Sequence, residues 1–233
     1  MPTPAAVLAQ LLRADATRPR VTFYDDGSGE RIDLSARVLA NWVAKAGNLL
    51  QDELDAAPAT TVGLDLPAHW RAFYWALAAW SVGATVVVGP PARSADVVVT
   101  IDPDTAREVA ESARLAVLVS LPMLARVNPS TPPDVVDEAR ELATHGDVFT
   151  AYEEPADADP ALVGESEHTF ANVVVSQADW GPSPRVRVPD DLAASLAGAL
   201  SAWAADGSVV LVRAAVGDQT HRLATEGVTL DLS

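Results

Sequence analysis

No cysteine occurs among the 233 residues. Disulfide frameworks, thiol nucleophiles and cysteine-type zinc sites are therefore excluded, and any catalysis must rest on oxygen, nitrogen or carboxylate groups. Lysine is almost as scarce, since Lys45 stands alone beside 15 arginines. Chemistry that depends on a lysine charge, phosphate transfer and adenylation above all, has one candidate residue. No apolar run reaches the roughly 18 residues of a membrane span. The amino terminus has neither a basic block nor a long apolar one, so no membrane partner is expected and the expected location is cytoplasmic. Positive charge is short overall: 16 basic against 32 acidic side chains give a net charge of −16. Such a chain is repelled by phosphate backbones, and nucleic acid is not an expected partner.

The common catalytic signatures are missing too. There is no Gly-x-Gly-x-x-Gly, no Gly-x-x-x-x-Gly-Lys-Ser/Thr and no His-Glu-x-x-His. The four histidines, His69, His145, His168 and His221, are far apart and show no paired metal spacing, so they read as surface or helix-start residues. The turns Gly89-Pro90-Pro91 and Gly181-Pro182-Ser183-Pro184 are poor anion cradles because proline removes amide donors. No catalytic residue and no metal-ligand set is expected, no cofactor is implied, and cofactor-binding residues are not identifiable.

What the chain does contain is a globular balance of 49% hydrophobic and 21% charged residues, long enough for one large α/β domain or two small ones. Apolar spacing predicts a helix over residues 4 to 16, then a hairpin of 20–24 and 30–33 around Asp25-Asp26-Gly27-Ser28-Gly29. Ser35 is placed to cap a long helix through Leu54. Strands are predicted at 60–66, 84–88, 96–101 and 115–120, with a helix starting at Pro67 and another near 103–113. Trp70, Leu77 and Trp80 share one helical face with Trp75 on another, which reads as packing. The later pattern resumes with a strand at 172–176, a helix capped by Asp190 or Asp191, a strand at 208–213, a short helix near 217–225 and a strand at 227–232.

Alternating strands and helices predict an α/β fold with a parallel-rich sheet flanked by helices. The stretch from Asp134 to Glu167 holds eleven acidic residues and only Arg140 as a base, and it reads as a solvated loop. The expected organisation is a first α/β subdomain over 1–133, an acidic loop or linker over 134–170 and a smaller α/β part over 171–233.

Several blocks resemble the start of the large domain of adenylate-forming enzymes, the AMP-binding superfamily of acyl-CoA synthetases and peptide-synthetase adenylation domains. They are Arg31-Ile32-Asp33-Leu34-Ser35 with the following helix, Val62-Gly63-Leu64-Asp65-Leu66-Pro67, Val82-Gly83-Ala84-Thr85-Val86-Val87-Val88 and Gly207-Ser208-Val209-Val210-Leu211. The chain most resembles an actinobacterial conserved family of unknown function, a shortened remote relative of those enzymes. The resemblance implies a Ser/Thr/Gly-rich phosphate loop ending in Pro-Lys-Gly near residues 160–180. That interval instead reads Leu162-Val163-Gly164-Glu165-Ser166-Glu167-His168-Thr169. Ala224-Thr225-Glu226-Gly227 has the Thr-Glu pair of a second family motif without its aromatic residue, and Lys45 lies in the first long helix, away from the family's catalytic lysine. The expectation is a non-catalytic, adenylate-forming-like protein with an interaction or regulatory role, an unknown protein partner and a homodimeric state. The alternative is an AMP-binding ligase or acyl-CoA synthetase-like protein retaining part of a nucleotide or acyl site. A third reading, a hydrolase with a dispersed triad, requires a serine beside His69, His168 or His221.

Overall fold

In the computed structural model, which describes residues 2–233, Thr3 accepts the Ala6 amide at 3.2 Å and so caps α1 (Pro4–Asp15). β1 (Pro19–Asp25) and β2 (Glu30–Ser35) form the expected hairpin, with Asp25 accepting the Gly27 amide at 2.8 Å in the turn. Ser35 caps α2 (Ala36–Asn48) through the Val38 amide at 3.2 Å, and the helix closes in a π turn over 49–53. After β3 (Thr61–Asp65), the helix expected from Pro67 begins three residues later as α3 (Trp70–Ser81). His69 is the reason: its ring Nδ1 accepts the Arg71 amide at 3.2 Å and its carbonyl accepts that of Ala72 at 2.9 Å, which makes it the cap. Every residue from Ala68 to Trp80 is buried, all three tryptophans included. A helix buried on all sides, Arg71 included, has no solvent face to offer.

The remaining elements are β4 (Thr85–Val88), β5 (Val97–Thr100), α4 (Pro103–Glu111), β6 (Leu115–Leu118), β7 (Val136–Asp137), α5 (Glu138–Glu141), β8 (Pro160–Val163), β9 (Glu167–Thr169), β10 (Arg185–Val188), α6 (Leu192–Ala204), β11 (Ser208–Arg213), α7 (Thr220–Thr225) and β12 (Leu230–Asp231). Of the two aspartates at the start of α6, Asp191 is the cap, accepting the Ala194 amide at 2.9 Å. The strand expected at 172–176 is a turn instead, and β10 takes its place.

The elements group into two compact units, 1–40 with 67–73 and 171–233, and 41–66 with 74–170. The first holds a five-stranded sheet in the order β12-β10-β11-β1-β2, parallel except for β2. Val21, Phe23, Ile32, Leu34, Val186, Val188, Val209 and Leu211 are buried along its strands. Trp203 of α6 donates its indole N–H to the Arg20 carbonyl at 3.1 Å and meets Phe73 edge-on at 5.7 Å. The second unit holds a seven-stranded sheet in the order β7-β6-β5-β3-β4-β8-β9, parallel except for β9.

The boundaries expected after 133 and 170 do not follow these units. β8 and β9 make 160–169 part of the second sheet, and β11 pairs with β1 from the far end of the chain. Ladders between distant strands leave no mark in composition. The acidic stretch is also anchored. Asn48 donates to the Gly146 and Val148 carbonyls at 3.1 Å each, and Gln51 to that of Thr150 at 3.2 Å. Lys45 is half-buried, paired with Asp147 at 2.8 Å and donating to the His145 carbonyl. Charge divides between the units as well: the first has ten arginines against twelve carboxylates, the second six basic residues against twenty.

One buried ion pair sets a stability prediction. The Arg20 side chain is fully buried, 2.7 Å from the Asp206 carboxylate, and donates to the Asp206 and Gly207 carbonyls at 2.7 and 3.1 Å. Asp206 itself is one-third exposed and has φ +58°, a conformation that asparagine tolerates. Asp206→Asn removes the counter-charge and keeps the backbone, at an expected cost of about 2 kcal/mol after allowance for the water at Asp206. Urea unfolding of the variant measures it; a cost below about 0.5 kcal/mol would show that the pair is screened.

Candidate functional site

Four places in the structure are candidates for chemistry. The first is the carboxyl end of the parallel strands in the second unit. The order β4-β3-β5-β6-β7 is that of a doubly wound sheet, whose switch point lies between β3 and β5. Asp65 and Thr100 end those two strands, and the Thr100 hydroxyl donates to Asp65 at 2.9 Å. Arg93 pairs with the same carboxylate oxygen at 3.1 Å. Arg93 belongs to a 3-10 turn, Pro90–Ser94, that packs so closely on β3 that a Cβ at Gly63 would lie 1.9 Å from the Ala92 carbonyl oxygen. The 90–94 turn thus covers the face of β3 at Gly63, and at the carboxyl end of the strand Asp65 is already engaged by Thr100 and Arg93.

The second place is the segment where the family resemblance puts a phosphate loop. It is a tight hairpin between β8 and β9, with the Gly164 N–H donating to the Ser166 carbonyl at 3.1 Å. Gly164 is pressed against Val88, whose Cγ2 would lie 2.9 Å from an added Cβ. Glu165 and Glu167 are both exposed there. An anion cradle needs several free amides converging on one point, whereas this turn bonds its glycine amide internally and places two carboxylates at the surface.

Third are the histidines. The hairpin brings Ser166 Oγ within 3.3 Å of His168 Nε2, the serine proximity that a dispersed triad requires. Among the described residues, the His168 ring donates no hydrogen bond to a carboxylate that would orient it, and Ser166 is exposed. The pair lacks the third group that makes a serine nucleophilic. His145 faces Glu53 at 3.2 Å, and His221 is an exposed residue of α7. His69, expected at a surface or helix start, is at a helix start but buried to 1% exposure, with Phe23 edge-on at 4.4 Å. Burial first, then the Arg71 and Arg213 charges, push its pKa down to about 3, with Asp25 opposing them. At neutral pH it is an uncharged hydrogen-bond acceptor holding a helix start.

The fourth place was not legible beforehand. On one face of the first unit's sheet, the Glu226 carboxylate receives hydrogen bonds from the Tyr24 hydroxyl, from Arg31 at 3.1 Å and from Arg185. Arg185 also donates to Thr22 at 3.0 Å and Ser208 at 3.2 Å, while Arg31 pairs with Asp33 at 2.5 Å. Burial opposes ionisation of Glu226, but the bonds from Tyr24, Arg31 and Arg185 outweigh it and hold its carboxyl below the usual range. Beside this network lies a hollow of about 360 Å³ lined by Arg18, Thr22, Arg31, Asp33, Arg185, Ser208 and Glu226. A period-two pattern of polar residues, Thr22-x-Tyr24, Arg31-x-Asp33 and Arg185-x-Arg187, was the available signal. Only strand pairing puts those dipeptides on one face.

A larger hollow of about 540 Å³ in the second unit is lined by acidic groups including Glu53, Asp134 and Glu141. Among the described residues, no group of three or more histidines and carboxylates is arranged to hold a metal ion, and no helix is long and apolar enough to cross a membrane.

No family model matches the chain. A curated protein of Mycobacterium tuberculosis, described as a TIGR03089 family protein, is 36% identical over 239 residues, covering 96% of this chain and 95% of its own length. Among solved structures, acetoacetyl-CoA synthetase from Streptomyces lividans superposes with a TM-score of 0.78 at 18% identity, over 98% of this chain and 42% of its own. The anthranilate CoA ligase AuaEII, in complex with anthranoyl-AMP, gives 0.75 at 13% identity, with 98% and 48% covered. The N-terminal domain of FACL13 from Mycobacterium tuberculosis gives 0.72 at 14%, with 99% and 62% covered. The chain thus spans roughly half the length of these solved neighbours. At such identities the likeness establishes the fold, and the α/β architecture of adenylate-forming N-terminal domains expected from the sequence is the one observed.

Proposed function

We propose, from the premise that this chain belongs to the TIGR03089 family, that it is a non-catalytic protein on an adenylate-forming scaffold, with an interaction or regulatory role toward a protein partner. The observation that carries this reading is the β8–β9 hairpin. ATP is a polyanion, and binding it requires converging amides or cations at the triphosphate. The hairpin offers Glu165 and Glu167, in a unit with twenty carboxylates against six basic residues. Repulsion there opposes nucleotide capture before geometry is considered. Lys45, the one lysine, already serves a structural purpose by pinning 145–147 to α2.

The expected result is that the purified chain catalyses no magnesium-dependent exchange between ATP and pyrophosphate. Calorimetric titration with ATP, AMP and anthranoyl-AMP, the ligand of the AuaEII neighbour, should give no saturable heat. Exchange above background, or saturable binding of any of the three, overturns the reading in favour of a ligase that retains part of its site.

A further inference from the structure

We infer that the arginine cradle around Glu226 is a receptor for a small dicarboxylate, filled in the resting chain by the protein's own Glu226 carboxylate. Two guanidinium groups and a phenol converge on that one carboxylate: Arg31, Arg185 and Tyr24. Planar guanidinium forks match a carboxylate closely, and paired arginines are a recurrent way of recognising one. The same arginines line the adjoining hollow of about 360 Å³, so the cradle opens onto space for a small molecule. Arg185 also keeps a buried Nε without a hydrogen-bond partner.

The segment that supplies Glu226 is lightly held. α7 buries none of its own residues. Its hold on the sheet is polar: Arg222 pairs with Asp26 at 2.7 Å and lies over the Tyr24 ring at 4.5 Å, and Glu226 sits in the cradle. Attachments of this kind open at lower cost than apolar packing.

A tethered carboxylate competes at an effective concentration on the order of millimolar or above. A lone external carboxylate therefore displaces Glu226 poorly, and the ligand needs a second anionic group. Arg18 lines the hollow and is a third exposed from it. Among the described residues its one ion pair, with the Asp206 carboxylate, is a long 3.4 Å, and it also donates to the Asp206 carbonyl at 3.1 Å. Lining charges are three arginines against Asp33 and Glu226, and removing Glu226 leaves three against one. The cradle lies in the first unit and the β8–β9 hairpin in the second, so this inference stands or falls separately from the nucleotide question.

Succinate is the probe, acetate the single-charge control, and sodium chloride matches ionic strength. In the Glu226→Gln chain, which keeps shape and packing, succinate should raise the melting temperature and bind at least about tenfold more tightly than in the natural chain. Acetate should do much less. Arg18→Ala added to Glu226→Gln should erase the advantage of succinate over acetate. In the natural chain, succinate should accelerate amide exchange in 220–227 as Glu226 leaves the cradle, and this readout needs no variant to fold. Equal responses to succinate and chloride in both chains overturn the inference. Inorganic phosphate binding more tightly than succinate overturns the dicarboxylate assignment.

Discussion

Gly63→Ala is expected to unfold the second unit under conditions where the natural chain is stable. The added Cβ would meet the Ala92 carbonyl oxygen at 1.9 Å and its carbon at 2.7 Å, both backbone atoms. Neither side has room to retreat. Gly63 lies inside β3, paired with Val87 on one flank and Val98 on the other. Ala92 is fully buried, its amide bonded to the Gly89 carbonyl at 3.0 Å and its neighbour Arg93 tied to Asp65. Overpacking against rigid backbone costs about 3 kcal/mol or more, a large part of a typical total of about 5–15 kcal/mol. Gly29→Ala is the control: nothing lies within 4 Å of its Cβ, and its cost comes only from φ +75°, about 1 kcal/mol. Urea midpoints of the two variants decide the matter. A Gly63→Ala chain within 1 kcal/mol of the natural one would falsify the close contact between β3 and the 90–94 turn.

Acid should destabilise the first unit through His69. The unfolded chain binds a proton there with a pKa near 6.5, whereas the folded ring, buried beside Arg71 and Arg213, does so only near 3. Between those values the unfolded state holds more protons, so falling pH favours unfolding. This contribution to stability is complete above about pH 6.5 and is lost progressively toward pH 3; at pH 5 the loss relative to pH 7 is about 2 kcal/mol. His69→Asn keeps an acceptor at the cap of α3 without the titrating ring. Its urea-derived stability should change less between pH 7 and pH 5 than that of the natural chain, by about the same 2 kcal/mol. Equal changes in the two chains would mean that His69 is protonated in the fold without penalty. Asp25 faces the same ring and limits the effect, and carboxylates such as Asp26 and Glu226, held low by their arginine partners, contribute mainly at lower pH.

Much of the local structure is legible in the amino-acid sequence. The cap at Ser35, the pair Asp190 and Asp191 of which the second is the cap, the hairpin at 25–30 and the apolar runs of β3, β4, β5 and β11 all depend on neighbours in sequence. Short-range hydrogen bonds and side-chain alternation leave their pattern in adjacent letters. The same holds for the carboxylates in the hairpin of β8 and β9, whose residues are contiguous. His69 shows where such reading stops. Its position at a helix start follows from spacing, but its burial and depressed pKa depend on Phe23, Arg213 and Asp25, which are remote in the chain.

Adjacent residues settle the element types outside 134–188, the excess of negative charge and the chemistry removed by having no cysteine and one lysine. Tertiary structure alone decided that the two ends of the chain share a sheet, that the acidic stretch carries strands of another, and that Tyr24, Arg31, Arg185 and Glu226 meet. The physical reason is the same in each case: strand pairing and ion pairing are satisfied by whichever partner the fold brings within about 3 Å, and separation along the chain says nothing about which partner that is.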